Sequence, residues 1–226
     1  MIFLIKVIAF DLWNTLIGST MDFPYLISLS KKDDWSLGEY IAKYENALHK
    51  KSFSSFQELK NAFFKELKET ENELLEKALY DIYSSRVDKI VFFPDVEDNL
   101  LKLKKQGYPL VLVSNVENLA FDDVNKVLDL NKYFDYFCLS FEVGAIKPDK
   151  KMFDCILKKT RVLPSEVLMV GDSLRSDIIG AKKAKMHNCW INRPNKSYDL
   201  AKVVPEFEIK SFNELPKVLN KLNGVK

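Results

Sequence analysis

Four short apolar runs in the sequence each stop abruptly at residues able to hold an ion. Ile2 to Phe10, interrupted by Lys6, ends at Asp11. Tyr108 to Val113 ends at Ser114-Asn115, Val167 to Val170 at Gly171-Asp172, and Cys189 to Ile191 at Asn192-Arg193. Continuous apolar runs of this length suit strands buried on both faces of a sheet. In an open parallel sheet, ligands bind in the crevice beyond the carboxyl ends of the strands, which makes Asp11, Ser114, Asn115 and Asp172 neighbours in space. Two carboxylates at one mouth repel each other and call for a shared hard cation with oxygen ligands, such as Mg²⁺. Ser114-Asn115 stands just before a helix, where unpaired N–H groups and the helix dipole favour a phosphate. Taken singly, each of these residues also suits a helix cap or a turn. On three successive run ends that reading loses force. Nothing matches a P-loop or GxGxxG phosphate cradle.

The elements that must position these residues follow from the spacing between them. Apolar residues recur at helical intervals at Val96, Leu100, Leu101 and Leu103, at Leu119, Val124, Val127 and Leu128, at Met152, Phe153, Ile156 and Leu157, and at Ile178, Ile179, Ala181 and Ala184. Strand and helix therefore alternate, which predicts crossover connections and an α/β fold: a Rossmann-like parallel sheet with helices on both faces. Gly107 reads as a helix stop and Pro164-Ser165 as a turn. Residues 16–93 differ. They hold no comparable strand run, and the spacing of Ile41, Tyr44, Ala47 and Leu48 and of Phe56, Leu59, Phe63, Phe64 and Leu67 predicts three or four inserted helices. Ile17-Gly18-Ser19-Thr20 and Phe92-Phe93-Pro94 are the expected hinges. The division is then residues 1–15 and 94–226 for the α/β part and 16–93 for the helical part.

With 226 residues, 47% hydrophobic and 29% charged, the chain has the make-up of a globular protein with one large domain, or one plus an insert. Lys+Arg 34 against Asp+Glu 32 leaves +2, interspersed along the chain, so no nucleic acid and no membrane partner is expected. The N-terminal apolar run is far shorter than the roughly 20 residues of a membrane span. It also lacks the basic start and cleavage site of a signal peptide, which points to the cytoplasm. Three cysteines, Cys138, Cys155 and Cys189, form no CxxC pair and read as reduced, buried small hydrophobes. His49 and His187 stand far apart and outside any metal-binding spacing.

Together these residues resemble the haloacid dehalogenase superfamily of hydrolases. The resemblance spans nearly the whole chain: Asp11-Leu12-Trp13-Asn14-Thr15, then Ser114-Asn115, then Lys147-Pro148, then Gly171-Asp172-Ser173 with Asp177 and Gly180-Ala181. It implies that the insert is a helical cap over the site, and that Phe207 to Ile209 and Leu215 to Leu222 form a last strand and helix. It also implies roles. Asp11 would be the nucleophile, forming an aspartyl-phosphate that water hydrolyses. Mg²⁺ would be held by Asp11, the backbone carbonyl of Trp13 and Asp172, with Asp177 in support. Ser114 and Asn115 would bind the phosphoryl oxygens, and Lys147 would place positive charge beside Asp11 and the phosphate.

One position departs from the family pattern. Phosphatases of the superfamily carry a second aspartate two residues after the nucleophile as general acid and base, whereas this chain has Trp13. Dehalogenases have an aromatic residue there, because a departing halide needs no proton, but they tend to lack an acid at the Asp172 position. The arginine-bearing cap motif of those enzymes is also absent near Trp35 to Tyr44. The leading expectation is thus a Mg²⁺-dependent phosphatase of a small phosphorylated metabolite. The alternatives are a 2-haloacid dehalogenase, or a weakly active or inactive member binding a phosphorylated ligand or a protein partner. Substrate choice is expected from the cap, and the sequence assigns no oligomeric state.

Overall fold

A computed structural model describes residues 4–30, 32, 34–68, 72–194 and 203–224. Among the described residues six strands run β1 (Val7–Phe10), β2 (Leu110–Ser114), β3 (Tyr136–Leu139), β4 (Val167–Gly171), β5 (His187–Ile191) and β6 (Phe207–Ile209). They form one sheet in the order β3-β2-β1-β4-β5-β6, with every neighbouring pair parallel. The chain steps outward from β1 to β2 and β3, then returns to the other side of β1 for β4. That reversal opens a crevice beside the carboxyl end of β1, where parallel sheets bind ligands.

Side-chain alternation along the strands splits the core in two. Ile8, Phe10, Leu110, Leu112, Leu168 and Val170 face one side, packed by helices α5 (Glu97–Lys105), α6 (Asn118–Leu128) and α10 (Leu215–Leu222). Val7, Ala9, Val111, Val113, Val167 and Met169 face the other, under α8 (Lys150–Thr160) and α9 (Ile179–Lys183). Both faces are dry, which is why these strands read as unbroken apolar runs. Gly107 ends α5 with φ +85°, a conformation that favours glycine. Of the first run, Ile2 and Phe3 lie outside the described residues and Leu4 to Lys6 precede the strand, which begins at Val7.

Between β1 and α5 the described residues form four α-helices, α1 (Phe23–Leu29), α2 (Leu37–Leu48), α3 (Phe56–Leu67) and α4 (Glu73–Ser85). They bury a separate cluster including Leu26, Tyr40, Tyr44, Leu48, Phe63 and Leu79. Their starts are capped by side chains that accept backbone N–H groups: Asp22, Ser36, Ser55 and Asn72. Where the chain leaves and re-enters the sheet, Ile17 and Phe92 form an antiparallel bridge, and the Phe93 N–H donates to the Leu16 carbonyl at 2.9 Å. The remaining helix, α7 (Ser140–Val143), is a single turn after β3.

Two sequence expectations are corrected. No strand was expected at 136–139, yet β3 pairs with β2 from Val111↔Tyr136 to Ser114↔Leu139. Tyr136 and Phe137 favour a strand, but the segment is four residues long, has no β-branched side chain and no alternation, and its first two residues are half-exposed at the sheet edge, so periodicity does not mark it. The cysteines are not all reduced either. Cys138 of β3 and Cys155 of α8 are disulfide-bonded, with Cα atoms 6.0 Å apart, and only Cys189 is free. The 17-residue separation and the absence of CxxC hid a pair that meets because α8 packs on β3. Among the described residues no helix is long and apolar enough to cross a membrane.

Candidate active site

Asp11 is the first residue beyond β1. Its N–H donates to the Val170 carbonyl at 3.0 Å, holding it level with the end of β4. Its carboxylate is buried and accepts two hydrogen bonds, from Thr15 Oγ1 at 3.0 Å and from Lys147 Nζ at 2.6 Å. Thr15 Oγ1 in turn accepts the Asp172 N–H at 3.0 Å, tying the loop after β1 to the loop after β4. In the tight turn between them, Asn14 takes a left-handed φ of 58° and Trp13 is left half-buried on the cavity wall.

Lys147 is the centre of the arrangement. Its buried ammonium donates to Asp11 Oδ1 at 2.6 Å and to the Val113 carbonyl at 2.8 Å, and forms an ion pair with Asp177 Oδ1 at 2.7 Å. Burial alone would favour the neutral amine, but Asp11 and then Asp177 outweigh it and raise the lysine pKa. Asp177 sits deeper, and its Oδ2 accepts the Ser173 N–H at 3.0 Å. Its pKa is raised to about 6 because burial and the Asp11 charge together outweigh Lys147. Gly171 makes room for it. A Cβ at position 171 would lie 2.2 Å from Asp177 Oδ2, closer than any real contact.

Of the residues expected from sequence, the structure gathers five. Asp11, Asp172 and Asp177 each present a carboxylate oxygen within 4.8 Å of the others, a hard-oxygen set suited to Mg²⁺. Lys147 lies against two of them, and Asn115 is joined to Lys147 by a hydrogen bond from the Lys147 N–H to Asn115 Oδ1 at 2.7 Å. Trp13 lies beside this group on the cavity wall. Ser114 differs. It ends β2 with its Oγ buried and without a hydrogen-bond partner, beneath the wall of the cavity and not on it. The fourth run end is also turned away: Arg193 donates to Asp95 Oδ2 at 3.0 Å and to the Thr15 carbonyl at 3.1 Å, bracing the loop after β1 from behind.

The site opens into a cavity of about 570 Å³ between the sheet and the helical insert. On the insert side, Tyr44 and Tyr83 pair through their hydroxyls at 3.2 Å, and Tyr83 donates to Glu117 Oε1 at 3.1 Å. Arg86 closes this network on Glu117 at 3.4 Å and Asp123 at 2.6 Å. Burial raises the Glu117 pKa against the pull of Arg86. Glu45 of α2 descends to the sheet and accepts from Asn115 Nδ2 at 3.4 Å. None of Thr15, Glu45, Arg86 or Glu117 was assigned a role from sequence. On a helix such as α2 an isolated glutamate reads as a solvated residue, and only the packing of the insert onto the sheet brings it inside.

His49 closes α2 edge-on to Tyr44, with centroids 5.4 Å apart and Nδ1 buried without a partner. Burial lowers its pKa from 6.5 to about 3. The unfolded chain therefore binds this proton more tightly than the folded one. Stability present above about pH 6.5 is lost as pH falls towards 3, by at most about 1.4 kcal/mol per unit. His49→Phe is expected to flatten that slope in urea unfolding measured between pH 7 and pH 4.5; a slope equal to the parent's would show that His49 does not carry it.

Comparison with known proteins agrees with this geometry. Residues 8–191 match the family model described as haloacid dehalogenase-like hydrolase. A glyceraldehyde 3-phosphate phosphatase from Pyrococcus furiosus is 33% identical over 57% of this chain and 53% of its own, so the chain spans about half the length of that relative. A HAD phosphatase from Thermococcus onnurineus superposes with a TM-score of 0.67 at 26% identity, covering 95% of this chain and 98% of that one. A 2-haloacid dehalogenase from Pseudomonas syringae superposes with a TM-score of 0.66 over 96% and 99%, and at 23% identity it shares the fold. With the sheet order, the carboxylate cluster and a family match over more than half of its length, the chain belongs to the haloacid dehalogenase-like hydrolases.

Proposed function

We propose that the protein is a Mg²⁺-dependent phosphatase of small phosphorylated metabolites, working through an aspartyl-phosphate on Asp11. The observation that carries this is the convergence of Asp11, Asp172 and Asp177 around one point at the strand ends, with the Lys147 ammonium against two of them. Mg²⁺ would be held by Asp11, Asp172 and the Trp13 carbonyl, and when bound it supplies charge neutralisation between an anionic nucleophile and an anionic phosphate. Asp177 already spends its oxygens on Lys147 and the Ser173 N–H, and so supports the site from behind. Lys147 holds the Asp11 carboxylate in one orientation with Oδ1, while Thr15 fixes Oδ2. Asn115, oriented by the Lys147 backbone, would turn the amide that donates at 3.4 Å to Glu45 and to the Lys147 carbonyl toward the phosphoryl oxygens, and the buried Ser114 Oγ lies just beneath. In this reading residues 16–93 act as the cap that selects the rest of the substrate, over a core of 1–15 and 94–226, and the protein works in the cytoplasm.

A second reading has one observation in its favour. Trp13 on the cavity wall transfers no proton, and halide departure requires none. The carboxylate cluster weighs against it, since carbon–halogen displacement by Asp11 gains nothing from three converging acids. The two readings part on chelation. Phosphate release from p-nitrophenyl phosphate is expected with Mg²⁺ and to fall to background with EDTA. Chloride release from 2-chloropropionate that persists in EDTA, without phosphate release, would overturn the phosphatase reading.

A further inference from the structure

Resting on the phosphatase reading, we infer that Glu45, carried by the helical insert, is the proton donor that replaces the acid missing at Trp13. Phosphoryl transfer runs in line, so the leaving oxygen departs on the side of the phosphorus away from Asp11. Asp11 faces the cavity from the sheet, and α2 lines much of the insert side with Gly38, Ile41, Ala42, Tyr44, Glu45 and Asn46. Glu45 is the α2 residue that touches the phosphate-binding floor, through Asn115 Nδ2 at 3.4 Å. A carboxyl group bonded to the amide that would hold a phosphoryl oxygen is thereby placed within reach of the departing ester oxygen.

The other acids and phenols on the cavity wall are committed elsewhere. Asp11 is the nucleophile, and Asp172 and Asp177 belong to the carboxylate cluster. Glu117 is ion-paired with Arg86 and accepts from Tyr83 and the Ala120 N–H through Oε1; its Oε2 is buried without a hydrogen bond, and it makes none to Asn115. Tyr44 and Tyr83 bond to each other, and burial raises both far above the range of a useful acid. The groups facing Glu45 are Asn115 and Lys147, which favour its anion, Asp11, which opposes it, and Arg175 beyond β4, which favours it. Burial outweighs these and leaves the carboxyl pKa raised, so a protonated population survives to higher pH than for an ordinary glutamate.

The chemistry balances over two steps. An Asp11 oxygen forms a bond to phosphorus while the bond to the ester oxygen breaks. The electron pair stays on that oxygen, which takes the Glu45 proton and leaves as an alcohol. Water then attacks the aspartyl-phosphate and loses a proton to the Glu45 carboxylate. The bond between phosphorus and the Asp11 oxygen breaks, restoring both carboxyl groups and releasing phosphate.

The test compares two leaving groups of similar size. Phenyl phosphate expels a phenolate about as basic as tyrosine, near pKa 10, whereas p-nitrophenyl phosphate expels a far weaker base that needs little help. Glu45→Gln keeps the shape and can still accept from Asn115. It is expected to lower kcat/KM on phenyl phosphate by about 10²-fold or more, the lower end of what general acids contribute, and on p-nitrophenyl phosphate by less than about 10-fold. The alkaline limb of the kcat/KM profile for phenyl phosphate should vanish in Glu45→Gln and persist, shifted, in Glu45→Asp. Equal losses on the two substrates, or no loss on either, would overturn the assignment. Absence of Mg²⁺-dependent release by the parent protein would instead overturn the phosphatase reading, and this assignment with it.

Discussion

Asp11→Asn will leave the protein folded and reduce Mg²⁺-dependent phosphate release by about 10⁴-fold or more, the scale on which enzymes fall when a covalent nucleophile is removed. The structure says why the fold survives. Lys147 keeps two of its three partners, Asp177 at 2.7 Å and the Val113 carbonyl at 2.8 Å, and an asparagine oxygen can still accept from Thr15 or Lys147. The loss therefore falls on chemistry. The amide oxygen is a poor nucleophile and removes one of three converging carboxylates. Malachite-green detection of phosphate, alongside urea unfolding of both proteins, checks the two halves together. A variant that retains a tenth of parental turnover would show that another group attacks phosphorus.

Lys147→Met is expected to act on stability as strongly as on activity. Removing one member of a buried ion pair leaves the other uncompensated, at a cost of about 3–5 kcal/mol. Here the methionine strands two buried carboxylates, Asp11 and Asp177, that the ammonium had held in common. Asp177 already has its pKa raised to about 6 with the lysine in place. Without it that pKa rises further, so the stranded carboxylate escapes its penalty by taking up a proton. A raised carboxyl pKa means the folded state binds that proton more tightly than the unfolded chain, and stability is lost as pH rises through it. The deficit of Lys147→Met relative to the parent should thus be larger at pH 8 than at pH 5 in urea unfolding. A deficit below about 1 kcal/mol at both would mean that water reaches the cluster and screens the pair.

Local signals in the chain carried most of the frame. The unbroken apolar runs predicted β1, β2, β4 and β5 because a strand covered on both faces has no polar side to show, and the observed strands end at or beside Asp11, Ser114, Gly171 and Asn192. The helical spacing between 16 and 93 gave the inserted helices for the same reason: an amphipathic stripe is written in consecutive turns. Asp11 and Asp172 follow from the run ends, whereas Asp177 and Lys147 follow only from the resemblance to the superfamily, and the Asp11–Lys147 contact spans 136 residues.

What tertiary structure alone decided lies where no local pattern is imposed. The edge strand β3 lacks β-branched residues, and its pairing depends on β2 being there first. Cys138 and Cys155 meet because α8 lies over β3, a packing fact invisible in the spacing of two cysteines. Ser114 looked equivalent to Asn115, but successive residues at a strand end point to opposite faces, so Asn115 enters the cavity and Ser114 is sealed beneath it. Glu45 is the clearest case. On α2 it is one of two glutamates, with Glu39, and it acquires an environment only when the insert settles on the sheet and brings it to Asn115. Sequence determined the strand ends and the acids they present, because burial and periodicity are local. The partner of each acid, and the group that would supply a proton opposite Trp13, were decided by long-range packing between parts of the chain that share no pattern.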